Sequence, residues 1–85
     1  MIGQVIKQCR KDKGISQLVF ASLLSMSQTN LSRIENELIH LPFRKYHLIC
    51  RKLNITKQDL LLLTIDKSNL STLDKKLIKQ IIIIT

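Results

Sequence analysis

Residues 16–36 read SQLVFASLLSMSQTNLSRIEN, and the fold is decided there. The stretch divides into two short halves, each opening on a serine, Ser16 and Ser27, whose hydroxyl can accept a free backbone N–H of a first helical turn. After Ser16, the residues Leu18, Phe20, Ala21, Leu23 and Leu24 supply a buried side for a short helix that runs to about Ser25. After Ser27, the apolar residues Leu31, Ile34 and Leu38 return at helical spacing. The positions between them, Gln28, Thr29, Asn30, Ser32 and Arg33, are polar, so this second helix turns a hydrogen-bonding face away from the core. Ser25-Met26-Ser27 is the turn that joins the two.

Outward from this pair the same periodicity continues. Ile2, Val5, Ile6 and Cys9 step by three and four, with Gln4, Lys7, Gln8, Lys11 and Asp12 on the other side, which predicts a helix over 2–13. Gly14 follows, where a left-handed closing residue meets no Cβ clash, and Lys11 and Lys13 suit the negative end of the helix dipole. Downstream, Pro42 fits the first turn of a fourth helix with Phe43, Tyr46, Ile49, Cys50 and Leu53 facing inward, and Asn54 ends it. Thr56 caps a fifth helix, with Leu60 to Leu63 running into the core. Residues 1–64 thus form one compact five-helix unit. In the remaining tail, 65–85, Ser71-Thr72-Leu73-Asp74 gives a capping-box-like start to a helix over about 72–81. The β-branched end from Ile81 to Thr85 leaves a short strand as the alternative there.

Composition bounds the rest. Eighty-five residues make one domain, and a chain of this size buries only about 60–65% of the surface it exposes when unfolded. With three aromatic residues, Phe20, Phe43 and Tyr46, the interior rests mainly on Leu and the thirteen Ile. Fourteen Lys and Arg against six Asp and Glu leave a net charge of +8, which attracts polyanions. Of these, nucleic acid is preferred over membrane, because no pure apolar run is longer than the four residues of Ile81 to Ile84, far short of the ~20 residues that span a bilayer. The start of the chain lacks the pattern of a signal peptide, which makes a cytoplasmic location the expectation. Cys9 and Cys50 have no second Cys or His at ligand spacing and read as small hydrophobes in apolar faces. His40 and His47 stand seven apart and no further His or Cys joins them at ligand spacing, so neither a metal, a cofactor nor a catalytic role is expected of this chain.

Two short helices joined by a tight turn, the second polar on its outer side, fit the major groove of duplex DNA. Gln28, Thr29, Asn30 and Arg33 are the candidate base readers. Gln28 can pair two-fold with adenine, Arg33 with guanine, and the Thr29 methyl can meet a thymine methyl. Gln17, Asn36, Arg44 and Lys45, at or beside helix ends, together with Ser27 and Ser32, are the candidates for phosphate contact. A plain solvated polar face is the competing reading of the same residues.

Residues 2–63 resemble the Cro/phage-repressor family of helix-turn-helix regulators, which includes the lambda and 434 repressors. The resemblance is carried by Ile2-Gly3-Gln4, Arg10, Gly14-Ile15-Ser16-Gln17, Ala21, Ser27, Leu31-Ser32-Arg33-Ile34-Glu35-Asn36, Pro42 and Leu53-Asn54-Ile55. It implies an all-α, repressor-like domain in which Gln17 and Asn36 contact phosphate, Gln28, Thr29 and Arg33 face bases, and Ala21 lets the two helices cross closely. It also implies an ion pair between Arg10 and Glu35 that ties the first helix to the end of the reading helix. Three departures stand out. Ser25 and Glu37 occupy positions where the family usually has Gly, Val19 removes the acidic half of a capping box, and residues 38–41 make an unusually apolar loop that could prolong the third helix or join an interface.

The resulting expectation is a transcriptional regulator, most simply a repressor, binding a pseudo-palindromic operator as a homodimer through its apolar tail. The alternative is the antitoxin half of a toxin–antitoxin pair, binding a toxin protein as well as its own operator. An enzyme lacks any catalytic constellation in the sequence, and an RNA-binding module lacks stacking aromatics.

Overall fold

The computed structural model describes residues 2–84; expectations that fall on Met1 and Thr85 lie outside them. Six helices follow one another, α1 (Ile2–Asp12), α2 (Gln17–Leu23), α3 (Gln28–Glu35), α4 (Phe43–Leu53), α5 (Lys57–Asp66) and α6 (Thr72–Ile84), with no strand among the described residues. Helix α1 packs on α3 and α5, α2 on α3, α4 on α5, and α6 on α5. The core between them is Val5, Ile6, Phe20, Ala21, Leu24, Leu31, Ile49, Cys50, Leu53 and Leu60, every one of them buried.

Four of the helices open on the expected hydroxyl caps, α6 among them, where Ser71 Oγ accepts the N–H of Asp74 at 3.1 Å. Ser16 Oγ accepts the N–H of Val19 at 3.2 Å, Ser27 Oγ that of Asn30 at 3.1 Å, and Thr56 Oγ1 that of Asp59 at 2.9 Å. Each satisfies one orphan donor of its first turn. Pro42 stands at the cap position of α4 and offers it no side-chain bond.

Four helices close in one way. A residue with left-handed backbone follows the helix end, and its N–H and that of the next residue reach back to the last-turn carbonyls. Gly14 and Ile15 bond Lys11 O and Arg10 O, Ser25 and Met26 bond Ser22 O and Ala21 O, Glu37 and Leu38 bond Ile34 O and Arg33 O, and Asn54 and Ile55 bond Arg51 O and Cys50 O. The left-handed residues have φ of 69° at Gly14, 55° at Ser25, 63° at Glu37 and 55° at Asn54. Three of the four therefore carry a Cβ where it is unfavourable, at a cost of about 1 kcal/mol each, less for Asn.

Glu37 has a compensating role. Helix α1 has no acidic residue in its first turn, and Glu37 Oε1 reaches it from the α3–α4 loop to accept the Gln4 N–H at 3.1 Å. Partial burial raises the Glu37 carboxyl, but the donors at the start of α1, the Gln4 and Gly3 N–H groups among them, outweigh it and hold the carboxyl below its ordinary value. The approach is close. A Cβ on Gly3 would lie 2.0 Å from the carbonyl oxygen of Ile34, so only glycine lets α1 rest on the end of α3.

The buried ion pair spans the same two helices. Arg10 Nε donates to Glu35 Oε2 at 2.8 Å and Arg10 Nη2 to Glu35 Oε1 at 3.1 Å, while Arg10 Nη1 donates to the Ile15 carbonyl at 2.7 Å. The Glu35 side chain is fully buried.

Several apolar residues lie elsewhere than their spacing predicts. Leu18 and Leu23 are exposed, because the seven-residue α2 presents only Phe20 and Ala21, with Leu24 at its end, to the core. Leu38 is exposed because α3 stops at Glu35, so the apolar loop does not prolong it. Phe43 is 94% exposed, since one face of α4 is already filled by Ile49, Cys50 and Leu53. Of the Leu60 to Leu63 run only Leu60 is buried. In the tail the helix expected over about 72–81 is present as α6, and at its end helix replaces the strand alternative and continues to Ile84, three residues beyond the expected end. A strand needs a partner edge. Here Ile78 and Ile82 rest half-buried in the fold, the Gln58 amide donates to the Ile82 carbonyl at 2.9 Å, Lys79 pairs with Asp66, and Lys75 Nζ donates to the Asp66 carbonyl at 2.9 Å. The five-helix unit with a tail is thus a six-helix array, and α5 ends at Asp66 rather than 64.

These contacts lead to three stability predictions. Glu35→Ala strands the Arg10 charge in the core and should lower unfolding free energy by about 3–5 kcal/mol in urea titration, whereas the apolar double replacement Arg10→Met/Glu35→Leu should be near neutral. Ser25→Gly should stabilise by about 1 kcal/mol. The Glu37 carboxylate contributes stability that is complete above the ordinary carboxylate range and lost as pH falls through its depressed value. Wild-type melting temperature should therefore fall more than that of Glu37→Gln between about pH 5 and pH 3.

Candidate nucleic-acid interface

The outer face of α3 is built by exclusion: Leu31, Ile34 and Glu35 turn inward, so Gln28, Thr29, Asn30 and Arg33 are left exposed and Ser32 half-exposed. A helix with its side chains is about 10–12 Å across, which fits the ~12 Å width of the major groove.

Two depressions flank this helix and divide the expected site residues between them. The first, about 420 Å³, is lined by Gln17, Gln28, Thr29, Ser32 and Arg33. It thereby joins three of the four candidate base readers with the first residue of α2. The second, about 390 Å³, holds Ser27, Asn30, Arg44 and Lys45 beside Ser25, Met26, Ile34, Ile39 and Pro42. Asn30 is thus apart from the other three, on the side of α3 that faces the start of α4. Asn36 is exposed at the far end of α3, where its Nδ2 donates to Ser32 Oγ at 3.3 Å.

The first depression is coupled to the core by a chain of polar contacts. Gln17 Nε2 donates to Glu35 Oε1 at 3.1 Å, and Gln28 Nε2 donates to Gln17 Oε1 at 3.3 Å. The buried Arg10–Glu35 pair therefore orients Gln17, and Gln17 orients Gln28, leaving the Gln28 side-chain oxygen turned to a different task. The family resemblance joins Arg10 to Glu35 in the sequence, but the onward links from Glu35 to Gln17 and from Gln17 to Gln28 are missed there, because they run between side chains of different helices. Lys45 is also more committed than its charge suggests: its ammonium donates to the Leu24 carbonyl at 2.7 Å, fixing the first turn of α4 against the end of α2. Thr29 and Arg33 make no side-chain hydrogen bond or ion pair among the described residues.

Burial raises both the Cys9 and Cys50 thiols, Cys9 also being raised by Asp12, so neither is a ready nucleophile. Among the described residues no three His, Cys, Asp or Glu side chains gather as metal ligands, and no helix is long and apolar enough to cross a membrane. The arrangement offers amide, hydroxyl and guanidinium groups on a short convex helix, which is the chemistry of base-edge and phosphate recognition.

Known proteins agree with this geometry. A family model described as helix-turn-helix matches residues 6–60. The antitoxin PezA of Streptococcus pneumoniae serotype 4 (strain ATCC BAA-334 / TIGR4) is 37% identical over 60 residues, covering 71% of this chain; the match spans only 38% of that protein's length. Among solved structures, SinR, the master regulator for biofilm formation, in complex with DNA superimposes with a TM-score of 0.65 at 35% identity, covering 72% of this chain and 98% of that one. The SinR/SinI complex gives a TM-score of 0.65 at 32% identity, covering 93% and 76%. The match over residues 6–60 and the arrangement of α2 and α3 lead to one conclusion: this chain belongs to the Cro/phage-repressor family of helix-turn-helix DNA-binding regulators.

Proposed function

We propose that this protein regulates transcription by reading duplex DNA in a sequence-specific manner, laying α3 in the major groove and acting as a homodimer, most simply a repressor, on a pseudo-palindromic operator. The observation that carries this reading is the first depression, where Gln28, Thr29 and Arg33 stand together on an exposed, serine-capped helix with no carboxylate among them. Gln28 addresses adenine, Arg33 guanine and the Thr29 methyl a thymine methyl. Asn30 adds a secondary base contact from the other flank. Gln17, Ser27, Ser32, Asn36, Arg44 and Lys45 hold the phosphates on either side and set register without reading sequence. The likeness to a regulator solved with DNA supports the assignment.

The division of labour follows the chain. Residues 1–64 carry the DNA-binding unit and residues 65–85 the association element. On α6, Leu73, Leu77 and Ile81 recur at every fourth position and all are exposed, which is the surface a second copy would cover. Two reading helices about one duplex turn apart, roughly 34 Å, then meet both half-sites.

The likeness to PezA and to the SinR/SinI complex supports a second reading, in which the same tail holds a different protein, a toxin, while α3 binds the operator of its own genes. The two readings share α3 and differ in what covers α6.

Selection of bound sites from a random duplex library at about 150 mM salt tests the first part. Wild type should enrich a two-fold motif, and Arg33→Ala and Gln28→Ala should each relax it at a different base, by about 1–3 kcal/mol of discrimination. Weak binding that fades with salt and enriches nothing would refute base reading. For the tail, Leu77→Glu should turn a dimer into a folded monomer in sedimentation and weaken operator binding; a wild-type chain that is monomeric alone but joins a toxin through the same residue would establish the antitoxin reading instead.

A further inference from the structure

Helix α4 repeats one pair of residues two turns apart, Arg44-Lys45 and Arg51-Lys52, in a sequence, FRKYHLICRKL, without a single carboxylate. Since Ile49, Cys50 and Leu53 face the core, the spacing puts all four cations on the solvent half of the helix, in two columns either side of Leu48. Arg44, Arg51 and Lys52 are exposed, and none of them has an ion-pair partner among the described residues. Four like charges gathered on one short helix repel one another at a cost to the folded chain, and a polyanion laid across them removes that cost.

The placement of α4 says which polyanion. Its first turn is held to the end of α2 by the Lys45 bond to Leu24, and Arg44 shares the second depression with Ser27 and Asn30 at the start of α3. The helix therefore begins at the edge of the DNA-reading face, with its first turn fixed there. Seven residues advance about 10.5 Å along the helix; a strand that rises about 3.4 Å of axis per charge also winds around that axis, which sets successive phosphates roughly twice that far apart, so each column has the reach of about two consecutive phosphates. We propose that α4 is a phosphate rail, in which Arg51 and Lys52, with exposed His47 between the two cationic pairs, extend the grip of Arg44 along the phosphodiester backbone beyond the bases that α3 reads. The proposal rests on α3 entering the groove. The rail adds affinity and length of footprint and reads no sequence.

The test compares wild type with the double variant Arg51→Ala/Lys52→Ala and the charge-preserving Arg51→Lys/Lys52→Arg, on a 40-base-pair duplex carrying the selected site or, failing one, a fixed arbitrary sequence. The affinity is measured across about 50–200 mM salt, with hydroxyl-radical footprinting of the backbone alongside. Loss of both cations should make the slope of log affinity against log salt shallower by about two units, since each phosphate contact contributes about 0.9. It should also uncover backbone positions that wild type protects while leaving the selected motif as it was, and the charge-preserving variant should restore slope and footprint. An unchanged slope and footprint in the alanine variant, or a changed motif, would overturn the rail. If the rail signature holds while wild type selects no motif and Arg33→Ala changes nothing, the rail stands and base reading by α3 is what fails.

Discussion

The Arg10–Glu35 pair is the constraint on which the arrangement hangs. A fully buried carboxylate is costly unless every lone pair is engaged, and here the engagement is complete enough to fix geometry: the guanidinium clasps Glu35 in two bonds and spends a further donor on the Ile15 carbonyl, while Gln17 adds a third donor to the carboxylate. Helix α1, the turn after it, the first residue of α2 and the last residue of α3 are thereby referred to one point. The remaining core is small and aliphatic, with Phe20 its one fully buried aromatic ring. Aliphatic packing gives such a chain its stability without strongly preferring one helix crossing over another, and the charged cluster supplies the preference in direction.

Around that point the chain economises on length. Four turns close by the same left-handed device, and three of the four do so without glycine. At Glu37 the unfavourable backbone is offset by a carboxylate that caps a different helix, so one residue both ends α3 and begins α1. At Ser25 no such return is visible.

Much of the fold was legible because helix signals are local. Serine and threonine caps, Gly14 and Asn54, and the three-four spacing of apolar residues located α1 to α5 to within a few residues. What spacing could not decide was how many apolar residues a short helix can bury. Leu18, Leu23, Leu38 and Phe43 match the pattern and lie outside, because available core, not periodicity, limits burial. The capped start of α6 was legible too, and only its last turn escaped: β-branched residues favour strands only when another edge is at hand, and the surface offered to residues 72–84 is the helix α5. The polar face of α3 was readable residue by residue, but the link from Glu35 through Gln17 to Gln28, the separation of Asn30 from its neighbours and the commitment of Lys45 to Leu24 are products of tertiary placement.

That link divides the exposed face of α3 into two kinds of position. Gln28 is wired to the buried pair through Gln17, so changing it disturbs an interaction that also serves the core. Thr29 and Arg33 are wired to nothing else among the described residues, and their exchange leaves the folding free energy nearly as it was. Under the proposed reading of α3, a lineage carrying this domain could therefore retune recognition at two sites by single substitutions that folding does not oppose, while the third would change only in concert with residues elsewhere. Divergence of binding preference among descendants would run through Thr29 and Arg33 first.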